Sequence, residues 1–191
     1  MKNLKVLETE RLILRGWEIT DLDDFYHYSK NPKIGPMAGW KPHKNKEISK
    51  WVLNSFIKNN EMWAIVYKEN NKVIGSIGNH RDVKRNLLNA RMIGYVLSEE
   101  YWGKEIMIEV VKRVVKYLFE EMGYDLVSCY HYDFNSQSKK VIEKCGFKYE
   151  GVLRRASELY DGRIYDDVCY SILREEYENQ MFKDILGPSK Y

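Results

Sequence analysis

Cysteine is scarce in this chain of 191 residues, and the three present, Cys129, Cys145 and Cys169, are an odd number with no C-x-x-C spacing. That argues against a disulfide framework and against a zinc site. Histidine is almost as thin: His27, His43, His80 and His131 show no H-x-x-x-H spacing and fall on different predicted elements, so no metal is expected. No apolar run approaches the length that a bilayer span needs, and charges interrupt the opening "MKNLKVLETERLIL". Neither a membrane helix nor a signal peptide is therefore expected, and the default location is the reducing cytoplasm. Charge of one sign is missing too. The net +3 comes from 31 basic and 28 acidic residues with no basic stripe, which leaves nucleic acid without an electrostatic footprint. Repeats and linkers rich in Gly, Pro and Ser are absent, and the expectation is a single domain over residues 1–191.

What is present is an ordinary globular balance of 44% apolar and 31% charged residues, enough to bury a core without staples. The 15 Tyr and 5 Trp fit that core better than they argue for a ligand surface. "ERLILRGW" alternates as a strand, and "TDLDDFYHYSKN" reads as a short helix capped at Thr20 or Asp21 and stopped by Asn31-Pro32. "NKEISKWVLNSFIKNN" has helical spacing. "EMWAIVYKENNKVIGSIGNH" reads as a hairpin, and "NARMIGYVLSEEYWG" as a further strand ending near Ser98. From Lys104 to Met122 the apolar residues again follow a helix, which Gly123 stops. "YDLVSCYHYDF" is a strand, "NSQSKKVIEKCGF" a helix capped by Asn135, and the remainder two long strands turning at "YDGR". This order predicts a mixed α/β sheet with about four helices on its two faces.

The turn "YWGKEIMIEV" opens a helix, where successive N–H groups and the helix dipole favour an anion. Glu105, however, stands where such a cradle wants glycine and no negative charge. Two penalties are open: strain if the backbone needs φ > 0, and repulsion of about 4 kcal/mol at an effective dielectric near 20 but about 1 kcal/mol in water, for charges ~4 Å apart. A solvent-facing turn would let the carboxylate swing outward, with Lys104 beside it offsetting part of the charge.

Four segments in order, "ETERLILR" at 8–15, "IGYVLSEEYWGK" at 93–104, "NSQSKKVIEKCGFKYEGVLR" at 135–154 and "DDVCYSILREEY" at 166–177, resemble the GCN5-related N-acetyltransferases. The resemblance is strongest to the branch holding the ribosomal-protein alanine N-acetyltransferases, and it covers residues 8–177. It implies a central twisted mixed sheet whose middle strands, ending near Leu97 and Phe134, splay to admit acetyl-CoA. Tyr95, Val96 and Leu97 would then lend main-chain bonds to the pantetheine, and Trp102, Gly103, Lys104, Glu105, Ile106 and Met107 would form the pyrophosphate loop. Gly103, Lys104 and Glu109 fit the family's "W-G-K-G-x-x-x-E-A"; Glu105 and Ile108 depart from it.

By the same resemblance Asn135 meets the pantetheine arm as well as capping its helix, and Ser138 assists the departing thiolate. The position at which other branches carry a tyrosine acid is Ile142 here. Base candidates are Glu150, ranked first by family context, His131 and Glu158. Trp40 and His43, with His131, would line the acceptor side. The implied activity is acetyl transfer to a primary amine, a protein N-terminus or a small amine, by direct attack in a ternary complex. The alternative is a non-catalytic acyl-CoA sensor or interaction module, suggested by Glu105. The tail, 178–191, carries Met181, Ile185 and Leu186 at helix-like spacing that would suit a homodimer contact.

Overall fold

The computed structural model describes residues 4–85 and 89–186, with side chains to Gln180. Its strands are β1 (Leu7–Glu8), β2 (Leu12–Arg15), β3 (Met62–Tyr67), β4 (Lys72–Arg81), β5 (Ala90–Leu97), β6 (Leu126–Tyr132), β7 (Lys148–Glu158) and β8 (Ile164–Leu173). The helices are α1 (Leu22–Ser29), α2 (Lys46–Asn59), α3 (Ile106–Glu120), α4 (Ser136–Lys144) and α5 (Arg174–Leu186). The strands form one sheet in the order β1-β2-β3-β4-β5-β6-β8-β7, antiparallel except for the β5–β6 pair.

Side-chain alternation divides the sheet between two cores. In β3, Trp63 and Ile65 join a core with Val110, Val114 and Leu118 of α3, whereas Ala64 and Val66 join another with Phe25 and Tyr28 of α1 and Leu53 of α2. The helices therefore cover both faces, as the sequence pattern predicts. Helix α2 is capped by Asn45, whose side chain accepts from the Ile48 N–H, and α4 by Asn135 in the same way from Ser138. At α1 the residue at the cap position is Asp21, but its carboxylate is taken by Arg15, in two bonds of 2.8 Å each, and by the Glu18 N–H.

The feature that positions the site is the parallel seam. β5 and β6 pair from Ala90↔Leu126 to Ile93↔Cys129 and then part. Beyond that point β5 stays on β4 as far as Leu97↔Gly75, and β6 stays on β8 as far as Tyr132↔Asp167. The middle strands splay, and the main-chain groups on the facing edges of the split are left to other partners.

Two expectations are corrected. The last strand, expected over 166–177, stops at Leu173 and α5 begins at Arg174. The Glu176 carboxylate accepts from the Leu173 N–H at 3.0 Å, and Tyr177 stacks on Phe119 of α3 at 5.0 Å, so packing against α3 overrides the strand pattern. The short β1 was not anticipated; two residues carry no readable period. The side chains of Met181, Ile185 and Leu186, assigned above to a second subunit, lie outside the described residues. Among the described residues no helix is long and apolar enough to cross a membrane.

Candidate active site

A cleft of about 770 Å³ opens from the splayed seam. Three elements frame it: the end of β5 (Gly94 to Leu97), the turn before α3, and the segment from Tyr130 through Ser138 that joins β6 to α4.

The turn is built by its neighbours. The Trp102 indole donates to the Leu97 carbonyl at 2.9 Å, anchoring the turn to the strand that feeds it. Gly103 (φ +75°) and Glu105 (φ +59°) are both left-handed. The steric penalty at Glu105 is therefore real: a side chain occupies a conformation that glycine adopts freely, at a cost of order 1 kcal/mol or more. Arg11 donates to the Lys104 carbonyl at 3.0 Å, while Glu109 holds Arg11 through both its backbone N–H (3.1 Å) and its guanidinium (2.7 Å). A trans peptide sets its N–H opposite its carbonyl, so tying back the Lys104 oxygen directs the Glu105 N–H the other way. Glu109 is thus a fastener of the turn. Burial would raise its pKa, but bonds from Thr9 and Arg11 outweigh this and hold it below the ordinary carboxylate range.

The Glu105 carboxylate is 66% exposed at the rim of the cleft, which both it and Lys144 line, and its countercharge is not the adjacent lysine. Lys144 of α4 donates to it at 2.7 Å, and this bond lowers its pKa. Lys104 instead places its ammonium over the Tyr101 ring, 5.1 Å from the centroid, and is not part of the cleft wall. A partner 39 residues away in sequence leaves no local signal.

Across the seam, Asn135 is 8% exposed; its carbonyl caps α4 at 3.0 Å and its amide donates to the Met37 carbonyl at 3.0 Å. One side chain thus joins α4 to the 3-10 turn Gly35–Ala38, whose Met37 and Ala38 wall the cleft. The Ser138 hydroxyl lies 3.0 Å from the Tyr95 hydroxyl. Burial pushes the Tyr95 phenol well above its ordinary pKa, so it stays neutral and serves as a donor or acceptor of hydrogen bonds. A phenol from β5 thus meets the serine of α4, a pairing that the sequence order conceals.

The remaining candidates are placed less favourably. The Glu150 carboxylate accepts from Arg85 and from the Ser171 hydroxyl (2.7 Å) and does not line the cleft. His131 does line it, with Nδ1 on the Tyr132 carbonyl at 2.8 Å, but its Nε2 is closed off from solvent and has no partner among the described residues. Glu158 is exposed at the end of β7 and does not line the cleft. His43 bonds Ser49 at 2.7 Å and packs against Trp40, and neither lines the cleft. Their loop does reach it, through Ile34, Met37 and Ala38.

Several wall residues carry no sequence motif. Asp82, 1% exposed, accepts from Ser128 (2.6 Å), Tyr130 (2.7 Å), Arg85 (2.8 Å) and the Lys84 N–H (2.9 Å). Burial alone would raise its pKa; these donors outweigh it and lower it. Lys84 pairs with Asp167 and lies 4.2 Å from the Tyr130 ring centroid.

Comparison with known proteins agrees with this geometry. Residues 11–148 match the family model described as an acetyltransferase (GNAT) domain. The chain is 28% identical over 174 residues to the uncharacterized N-acetyltransferase YoaA of Bacillus subtilis (strain 168), covering 88% of this chain and 97% of that one. It is 22% identical over 186 residues to the ribosomal protein uS5 alanine N-acetyltransferase of Escherichia coli (strain K12), covering 90% and 92%. A GNAT-family acetyltransferase from Bacillus anthracis superposes with a TM-score of 0.81 at 22% identity, over 90% of this chain and all (100%) of that one. A split parallel seam ending at a left-handed turn and a helix N-terminus, in a chain that this family model matches over most of its length, makes the protein a member of the GNAT family and an N-acetyltransferase.

Proposed function

We propose that the protein transfers the acetyl group of acetyl-CoA to a primary amine by direct attack in a ternary complex. The observation that carries this reading is the parting of β5 and β6 after Ile93↔Cys129, which opens a passage through the sheet. On one face it meets the Tyr95–Ser138 pair and the turn before α3; on the other it meets the wall formed by Met37 and Ala38. The edge of β5 that faces the split, at Tyr95 and the Leu97 N–H, suits the amides of pantetheine, whereas the Val96 carbonyl turns to β4 and the Leu97 carbonyl is taken by the Trp102 indole; the N–H groups at the start of α3 suit the pyrophosphate. Lys144 of α4 faces the same turn.

The amine nitrogen forms the C–N bond, the C–S bond breaks, and the sulfur leaves as a thiolate. The Ser138 hydroxyl, with the Tyr95 phenol behind it, donates a hydrogen bond to that sulfur. A hydrogen bond to a charged group contributes about 1.5–3 kcal/mol, so Ser138→Ala is expected to lower kcat about 10- to 100-fold. Single-turnover kinetics measures this, and an unchanged kcat removes Ser138 from the chemistry. The acceptor class is a protein N-terminal amine, supported by similarity to the uS5 alanine enzyme.

Calorimetric titration of acetyl-CoA tests the donor, beside the same titration of Glu105→Gly. With the carboxylate exposed and paired, its repulsion sits near the aqueous limit of about 1 kcal/mol, so glycine is expected to tighten binding about fivefold. Micromolar binding by the native chain is the expected result. No binding by the native chain, restored by glycine, would mean a site closed by one charge.

A further inference from the structure

The amine must lose a proton as it is acylated, and the two carboxylates suggested by the sequence and His131 are not placed to take it. A different residue is. Ile93↔Cys129 is the last pair of the seam, so the split begins at Gly94. Among the described residues an added Cβ at Gly94 would meet nothing within 4 Å, which marks open space at the apex of the split.

The face on which that space lies follows from alternation. Tyr95 reaches Ser138 on the α4 side, whereas Val96 packs with the α1–α2 core, so Gly94 opens to the face opposite the leaving group. Gly94 is registered against Gly78 of β4, and directly opposed residues share a face with Cβ positions about 4.5–5.5 Å apart. Above Gly78 lie the His80 imidazole and, beside it, the Met62 thioether: an added Cβ there would come within 2.2 Å of His80 Nε2 and 2.3 Å of Met62 Sδ. Two opposed glycines therefore clear a floor, with the ring over one and open space over the other. Nε2 has no hydrogen-bond partner among the described residues, while Nδ1 faces the Glu61 carboxylate at 3.9 Å. His80 lines the cleft and its side chain is 35% exposed, so the ring is reachable from solvent.

We propose that His80 is the proton acceptor for the attacking amine, with Glu61 as a positioning residue that favours the imidazolium once formed. The inference rests on the acetyl-transfer reading above. As the C–N bond forms and the C–S bond breaks, the nitrogen's proton passes to Nε2, directly or through one water, and is later lost to solvent. The products are the amide and the CoA thiol. Burial lowers the His80 pKa more than Glu61 raises it, so the ring is neutral and able to accept at physiological pH. Other titratable groups in the same wall are Asp82 and Lys84 after β4, Tyr130 and Tyr132 of β6, and Asp167 of β8; Lys84 and Asp167 neutralise one another, and Asp82 is saturated by its donors.

The test is His80→Gln and Glu61→Gln in steady-state transfer from acetyl-CoA to a panel of primary amines led by an alanine-initiated peptide, with acetyl-CoA titrated calorimetrically on each variant. His80→Gln is expected to lower kcat/KM for the amine by about 10²- to 10⁴-fold and to abolish the acid limb of kcat at saturating amine, with acetyl-CoA affinity unchanged. Glu61→Gln is expected to retain that limb but move it to lower pH, a shift that a merely structural role would not produce. Activity of His80→Gln within threefold of the native enzyme, or an acid limb unmoved in both variants, overturns the assignment of His80 while leaving the acetyltransferase reading intact. No transfer by the native chain to any amine of the panel overturns both.

Discussion

Replacing Gly94 by leucine is expected to lower kcat/KM for acetyl transfer by about 100-fold or more while leaving the melting temperature almost unchanged, because blocking the approach of one reactant forfeits positioning and little else. The physical case is unusual for a strand glycine. In the interior of a sheet, glycine ordinarily leaves room for a neighbour, as at Gly75, where an added Cβ would lie 2.4 Å from the Val96 carbonyl oxygen. At Gly94 nothing lies within 4 Å, and φ is not positive there, so a side chain can enter without strain. What the side chain fills is the apex of the split between β5 and β6, on the face assigned to the amine in the proposed reaction. Acetyl-CoA affinity should change less than kcat/KM, since the proposed pantetheine contacts are made by main-chain groups of β5 beyond Gly94. Thermal unfolding and calorimetry on the same preparation check both halves. A variant that melts early makes Gly94 a structural glycine, and one that transfers acetyl groups normally removes the apex from the reaction path.

Asp82→Ala is expected to cost about 3–5 kcal/mol of stability, the range for removing one member of a buried, hydrogen-bonded charge set. The carboxylate is fully enclosed and is the common acceptor for Ser128, Tyr130, Arg85 and the Lys84 N–H, so its loss leaves several buried donors unpaired at once. Denaturant titration gives the magnitude. The pH dependence has a defined sign. The folded pKa of Asp82 lies below the unfolded value, so its contribution is fully present above the unfolded pKa and is lost as pH falls through the folded one. The native protein should therefore lose stability on the acid side, and Asp82→Ala should show a shallower acid slope. Equal slopes would mean that the network is not held by the ionised carboxylate.

Most of the architecture was legible because it rests on local chemistry. The α3 stripe, the Asn135 cap and the left-handed Gly123 are properties of short windows, and each appears where the periodicity and the turn residues put it. The boundary at Leu173 failed for the same reason in reverse: "REEY" extends a strand pattern, and the contact of Tyr177 with Phe119 that makes it helical is remote in sequence. The site divides along the same line. Trp102, Gly103, Asn135 and Ser138 sit in contiguous motifs, and all of them line the cleft. Trp40, His43 and Glu150 were read from the loop or strand that holds them; His43 turns to Ser49 and Glu150 to Arg85 and Ser171, while Trp40 packs on the α1–α2 core, contacts that only folding brings near.

By itself, then, the sequence determined the family, the order of elements from β2 to β8 and the turn that opens α3, since these depend on residue type and spacing along the chain. Only the tertiary structure decided which charges meet and which spaces stay open. Lys144 rather than Lys104 neutralises Glu105, Tyr95 backs Ser138, and His80 stands over the glycine floor at the split. Each of these depends on strand register and on helices crossing the sheet, distances in space that no window of the chain encodes.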